Sequence, residues 1–281
     1  MKNTMKKPVA IPVEKLRPFA GHPFKVKDDE EMNTLIESIQ TQGILSPLIV
    51  RPIENTDEYE VISGHRRLHA AQKAGISEVP ALIYALDRDA AVIAVVDSNL
   101  HREHILSSEK AFAYKMKYEA MKHQGTSCQL GTKLRTDEQI AEKANDSARQ
   151  IQRYIRLTHL IPELLEFMDE NRMALSVGVE LSFLDEQSQY DVLEQCEIND
   201  CTPSYAQAVR MRKAFSNSVL TADMIRSIMS EEKANQRETV KIPTEKLRKF
   251  APGADLRQLE DFILKACEHY RKYLIRQHDV R

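Results

Sequence analysis

Along the first hundred residues the apolar positions switch between two spacings. Met32, Leu35, Ile36 and Ile39 recur at the three-and-four spacing of a helix face, in a segment from Asp28 to Gln42 that opens on acidic residues and stops at Gly43. Ile11 to Phe19 reads as a short strand and a turn at Pro18. Ser46 to Arg51 reads as a strand stopped by Pro52, and Glu58 to Ser63 alternates as another, with Glu54 to Asp57 as the hairpin turn. Gly64 then opens a helix from His65 to Lys73, Val79 to Ala85 is a further strand, and Asp89 to Ser98 is a mostly apolar helix. Strands alternating with helices predict a mixed α/β domain.

Beyond Ser107 the two-residue period disappears. A helix runs from Ser107 to about His123, and Gln124 to Arg135 is a loop rich in Gly, Ser and Thr. Short helices follow to about Phe215. Leu256, Leu259, Phe262, Ile263, Ala266, Tyr270, Tyr273 and Leu274 form one stripe of a long C-terminal helix, which must bury it against something. One phrase recurs: Ile11 to Phe19 (IPVEKLRPF) resembles Ile242 to Phe250 (IPTEKLRKF), without continuation on either side.

Composition narrows the class. The chain has 281 residues, no Trp and 42% hydrophobic residues, which is enough to bury cores and excludes a disordered chain. A formal net charge of -2 excludes a protein that coats DNA by charge alone. The start is basic (Lys2, Lys6, Lys7, Lys15, Arg17, Lys25, Lys27), whereas Glu163 to Asp200 contains Arg172 as its only Lys or Arg. Cys128, Cys196, Cys201 and Cys267 form no CxxC pair and read as reduced thiols. No apolar run reaches the roughly 20 residues of a membrane helix. The expected compartment is the cytoplasm. His69, His101 and His104 match no standard ligand spacing.

Two constellations carry chemistry. At Val61 to Ala70 a strand runs into Gly64 and a helix starts at once. Unpaired amides at a helix start favour an anion, glycine lets it approach, and Arg66 and Arg67 add planar cationic forks. That combination points to an oligophosphate ligand. The second lies at 136–159. Thr136 to Gln139 reads as a capping box, Asn145-Asp146 as a turn with Asn145 left-handed, and Ser147 to Gln150 as a second capping box. Ala141 and Ile151 would pack the two helices together as a helix-turn-helix. Its second helix would present Arg149, Gln150, Gln152 and Arg153 to base edges and phosphates, with Thr136 and Ser147 donating to phosphates.

Three segments together resemble the ParB family. Its N-terminal domain carries a GI-x-x-PL-x-VRP box, a GERR box and an ENLQR box; this chain has GILSPLIVRP at 43–52, GHRR at 64–67 and SNLHR at 98–102. The stretch Met173 to Leu181 is similar to the family's L-S-x-G-H-A segment, with Val179 in place of the histidine. The resemblance implies a mixed α/β ParB/sulfiredoxin-like domain, then an all-α helix-turn-helix domain and a helical C-terminal region. It implies CTP and magnesium as cofactors, with Gly64, His65, Arg66 and Arg67 at the triphosphate, and with Asn99 and Arg102 helping to bind the ligand and couple it to domain movement. His65 replaces one family glutamate. Ser98 replaces another that holds the metal, which counts against metal-dependent CTP hydrolysis. No catalytic residue is assigned.

The implied partners are double-stranded DNA with a palindromic site, a second copy of the chain and a ParA-type ATPase, at the nucleoid. The expected organisation is a basic tail at 1–10, a nucleotide-binding domain at 11–105, a helical DNA-binding domain at 106–216, a linker at 217–240 and a dimerising helical region at 241–281. Two other functions compete: a helix-turn-helix transcription regulator of a mobile element, and a ParB-like nuclease.

Overall fold

The computed structural model describes residues 7–102, 104–125, 135–142, 144–231, 244–253 and 255–278. Residues 1–231 form one compact unit and 232–281 another.

The first unit begins with strand β1 (Val9–Pro12), a 3-10 turn (Val13–Lys15) and strand β2 (Leu16–Arg17). Helix α1 (Glu30–Gln42) follows, then strands β3 (Leu48–Pro52) and β4 (Tyr59–Ser63), helix α2 (His65–Lys73), strand β5 (Glu78–Ile83) and helix α3 (Arg88–Asn99). The sheet is mixed, in the order β1-β5-β3-β4-β2, with β1/β5 and β3/β4 antiparallel and β3/β5 and β2/β4 parallel. The mixed α/β expectation is met. Strand β1 takes Val9 and Ala10 out of the expected tail.

Strand β4 shows why its apparent alternation is misleading. Val61 packs with Leu68 and Ala71 of α2, while the next residue, Ile62, packs with Val92 and Val95 of α3. Both faces of the strand are covered, so consecutive apolar residues are required. Glu60 is also buried, at 5% exposure, and accepts from the Ala20 amide (2.9 Å), Arg51 Nε (2.6 Å) and Arg88 Nη1 (2.9 Å). Burial pushes its carboxyl up, but the Ala20 amide and the Arg51 and Arg88 guanidiniums outweigh that and hold it below the usual range. This hub fixes the segment after Pro18 onto the sheet.

Helices continue from there: α4 (Ser107–Gly125), α5 (Thr136–Ala141), α6 (Ala148–Leu157), α7 (Pro162–Asp169), α8 (Leu175–Leu181), α9 (Glu186–Ile198), α10 (Tyr205–Ser216) and α11 (Ala222–Ser230). Leu157, Leu164, Leu181, Val192 and Met211 form the centre of their common core. Helix α11 corrects the expected linker at 217–240. Thr221 caps it, and Ile225, Ile228 and Met229 are buried in that core. The loop residues 126–134 lie outside those described.

Gly178 in α8 lies under the Met168 side chain: a Cβ there would be 2.5 Å from Met168 Sδ, and that side chain would have to shift.

The second unit has α12 (Thr244–Arg248) and α13 (Leu256–His278). Thr244 to Arg248, within the recurring phrase, is helical. Asp255 and Gln258 bond reciprocally at the start of α13, each accepting the other's amide. Leu259 is buried, whereas Phe262, Leu264 and Tyr270 are exposed. The side chains of Leu256, Tyr273 and Leu274 lie outside those described. No described helix is long and apolar enough to cross a membrane.

Candidate functional site

Gly64 sits between β4 and α2 with φ 106° and ψ 25°, a conformation that L side chains avoid. An added Cβ would meet Leu48 Cγ at 3.0 Å and the Arg67 guanidinium at 3.1 Å. The chain therefore turns tightly here and presents the first amides of α2.

The four residues of the turn have different tasks. Arg66 reaches Glu31 (3.2 Å) and Asp29 (3.5 Å). Arg67 folds the other way, donating to the carbonyls of Ser46 and Pro47, the latter at 2.9 Å. Burial lowers its pKa from the ordinary arginine value. It pins the segment 43–52 to the turn, a contact no local pattern reveals. His65 is buried, accepts from the Phe19 amide at 3.3 Å through Nε2, and stacks on His22 with ring centroids 3.7 Å apart. Burial, with His22 and Arg102 adding to it, pushes His65 down to about 3, so it is neutral at physiological pH. His22 Nδ1 donates to the Phe24 carbonyl at 2.7 Å, and among the described residues its buried Nε2 has no hydrogen-bond partner.

Beside the turn lies a cavity of about 760 Å³. Lys25, Lys27, Arg66 and Arg102 line it, together with Asp29, Glu31, Glu109 and Asp169. Arg102 lies over the Phe24 ring, 5.8 Å from its centroid. Its pKa is lowered by burial and by Arg66, with Glu109 opposing. Sequence reasoning missed Lys25, Lys27, Glu109 and Asp169 as members of the site. The Lys25-Val26-Lys27 run just ahead of the acidic start of α1 was the available signal for two of them; Asp169 arrives from α7, which no local motif links to Gly64.

Asn99 does not line the cavity. It is buried and its Nδ2 donates to the Val95 carbonyl (2.8 Å) and to Ser98 Oγ (3.2 Å). Ser98 Oγ donates to the same carbonyl at 2.9 Å. Asp97 lies 2.5 Å from Lys117 Nζ, on a lysine side chain only 2% exposed. His69 pairs with Asp28 at 2.8 Å.

The second constellation lies on α5 and α6. Ile140 and Ile151 are buried with Tyr114, and Ala141 packs against them. Asp146, in the turn, accepts from Tyr114 Oη (2.6 Å) and Lys110 Nζ (3.2 Å), tying the pair to α4. Asn145 is not left-handed; the described non-glycine residues with positive φ are Asn55, Asn171, Asp200 and Ser218. The cap of α5 is also shifted by one. Arg135 takes the N-cap position and Glu138 accepts its amide at 2.8 Å, which leaves Thr136 as the first helical residue. Ser147 caps α6 as expected, accepting the Gln150 amide at 3.3 Å.

Arg149 is exposed; Gln150, Gln152 and Arg153 are partly buried. Arg153 donates to Gln150 Oε1 (3.1 Å), and Gln152 is turned back onto Asp137 (3.2 Å) instead of standing free. Arg149 and Arg153 line an open groove with Ser176, Val179, Glu180 and Tyr205. Its one acid, Glu180, is already paired with Arg212 at 3.0 Å.

Residues 1–100 match the ParB N-terminal domain. The chromosome-partitioning protein Spo0J of Thermus thermophilus is 31% identical over 209 residues, which is 74% of this chain and 72% of that protein. Two solved structures of C-terminally truncated ParB from Caulobacter crescentus are similar. The one complexed to the centromeric parS site has 22% identity and a TM-score of 0.44, covering 79% of this chain and 98% of that one. The one complexed with CTP-gamma-S has 25% identity and a TM-score of 0.32, covering 67% of this chain and 97% of that one. With a match that runs through most of both sequences to the Thermus protein, the chain belongs to the ParB family.

Proposed function

We propose that the chain is a site-specific DNA-binding partition protein that responds to CTP. The observation that carries this reading is the pairing, within one unit, of the Gly64 turn and its cationic cavity with the exposed Arg149 face of α6. The triphosphate fits the amides of the turn together with Arg66, Arg102, Lys25 and Lys27. Bound there, the nucleotide adds a large negative charge where Arg66 now meets Asp29 and Glu31. Arg67 holds the turn in shape, and Asn99 fixes the end of α3. A magnesium ion fits less well: the motif position that should offer a carboxylate is Ser98, its hydroxyl donating to Val95, and the adjacent Asp97 is engaged by Lys117.

Helices α5 and α6 act as the helix-turn-helix at 136–159, α6 entering the major groove. Arg149 and Gln150 read bases, while Ser147 and Arg153 reach phosphates. Two copies, joined through the 241–281 region, read a palindromic site at the nucleoid and engage a ParA-type ATPase. The unit 11–105 carries the nucleotide and 106–231 the DNA, with α11 added to the latter.

Genomic DNA pulled down with the tagged protein tests the reading. Signal spreading over kilobases beside one site, dependent on CTP, is the expected result. A sharp promoter peak indifferent to CTP would replace partition by transcription regulation.

A further inference from the structure

The site departs from the family motif at positions 65 and 98, and each departure replaces a glutamate by a residue without a carboxylate. Both replacements are built into the fold. The His65 ring is buried on His22. The Ser98 hydroxyl donates to the Val95 carbonyl and accepts from Asn99. A magnesium ion beside phosphates is ordinarily held through one or two carboxylates. The nearest in sequence, Asp97, faces a buried lysine on α4.

Among the described acids that line the cavity, Glu109, Asp169 and Asp29 have structural work, and Glu31 pairs with Arg66. The two oxygens of Glu109 accept the amides of Lys25 (2.8 Å) and Leu106 (3.2 Å). Those of Asp169 accept the amide and the hydroxyl of Ser108. Asp29 caps α1 by accepting the Met32 amide at 2.9 Å. Among the described residues no group of three or more His, Cys, Asp or Glu converges to hold a metal.

Cations are plentiful by contrast: Lys25, Lys27, Arg66 and Arg102 line the same space. The present partners of Arg66 are exposed, Asp29 at 42% and Glu31 at 80% of their side chains, so a polyphosphate displaces them easily.

We propose that this cavity takes a nucleoside triphosphate as the free polyanion, its charge met by Lys25, Lys27, Arg66 and Arg102 and not by a divalent cation. The inference rests on the nucleotide reading above and removes the metal from it. Isothermal titration of the full chain with CTP, in chelator and in excess magnesium chloride, tests it. The affinity in chelator is expected to lie within about threefold of that in magnesium. Ser98→Glu, at an exposed position, is expected to weaken binding in chelator by about tenfold, and magnesium to restore it. Lys27→Ala is expected to weaken binding equally in both buffers. CTP binding by the wild-type chain only when magnesium is present would overturn the inference and leave the nucleotide reading intact. Binding in neither buffer would overturn both.

Discussion

The two cationic regions of the molecule differ in what their arginines are doing. Around Gly64 they are engaged: Arg66 with Asp29 and Glu31, Arg67 with two backbone carbonyls, Arg102 with the Phe24 ring. On α6, Arg149 is exposed, and among the described residues it makes no ion pair. A ligand at the first region competes with the Asp29 and Glu31 carboxylates that Arg66 meets, so binding there is coupled to the start of α1. A ligand at the second meets a side chain already in water, where attraction is immediate and screened by salt. The proposed switch and the proposed reading head differ in just that way.

The largest expected effect breaks the scaffold of the first region alone. Glu60→Gln removes the charge that holds Arg51, Arg88 and the Ala20 amide, and should cost about 3 kcal/mol of stability at neutral pH. Because its folded pKa is depressed, Glu60 stabilises the fold above the unfolded value and loses that contribution as pH falls below about 4.5. His65 acts over a wider window, from 6.5 down to about 3, that overlaps the one of Glu60. Its folded pKa of about 3 lies under the unfolded 6.5, so the unfolded chain takes up the proton first and stability declines as pH drops from 6.5. Urea melts across pH 3 to 7 should show both slopes in the wild type. The decline below about 4.5 should be shallower in Glu60→Gln, and the decline between 6.5 and 4.5 shallower in His65→Gln.

Next in size is Arg149→Ala, expected to cost about 2 kcal/mol of site-specific DNA affinity and much less on random DNA. Equal losses on both, measured by fluorescence anisotropy, would assign Arg149 to phosphates and erase the contrast with the first region. The smallest effect is Glu31→Gln. Freeing Arg66 from an exposed partner should raise nucleotide affinity by about twofold, near 0.5 kcal/mol, and leave DNA affinity unchanged.

Legibility in the sequence followed the range of the interactions. The helix from His65 to Lys73 matches its predicted ends because Gly64 sets its start locally. The Gly64 turn was visible for the same reason. The role of Arg67 was not, since its partners lie 20 and 21 residues away. The repeated phrase makes the point most directly. Ile11 to Phe19 forms strand, 3-10 turn and strand because Leu16 and Ile11 are taken up by the sheet core. Thr244 to Arg248, with nearly the same letters, is a helix. Local propensity permits both, and the neighbouring strands decide. Ile225, Ile228 and Met229 of α11 have helical spacing, but the polar run that follows makes the whole of 217–240 look like one linker.

The most direct measurement is a calorimetric titration of the wild-type chain and of Arg66→Ala/Arg102→Ala with CTP, ATP, GTP and UTP, alongside their affinity for the DNA site. CTP alone should bind the wild type, the double variant should lose it, and DNA affinity should stay the same. Nucleotide binding that survives both substitutions would contradict the assignment of the Gly64 cavity.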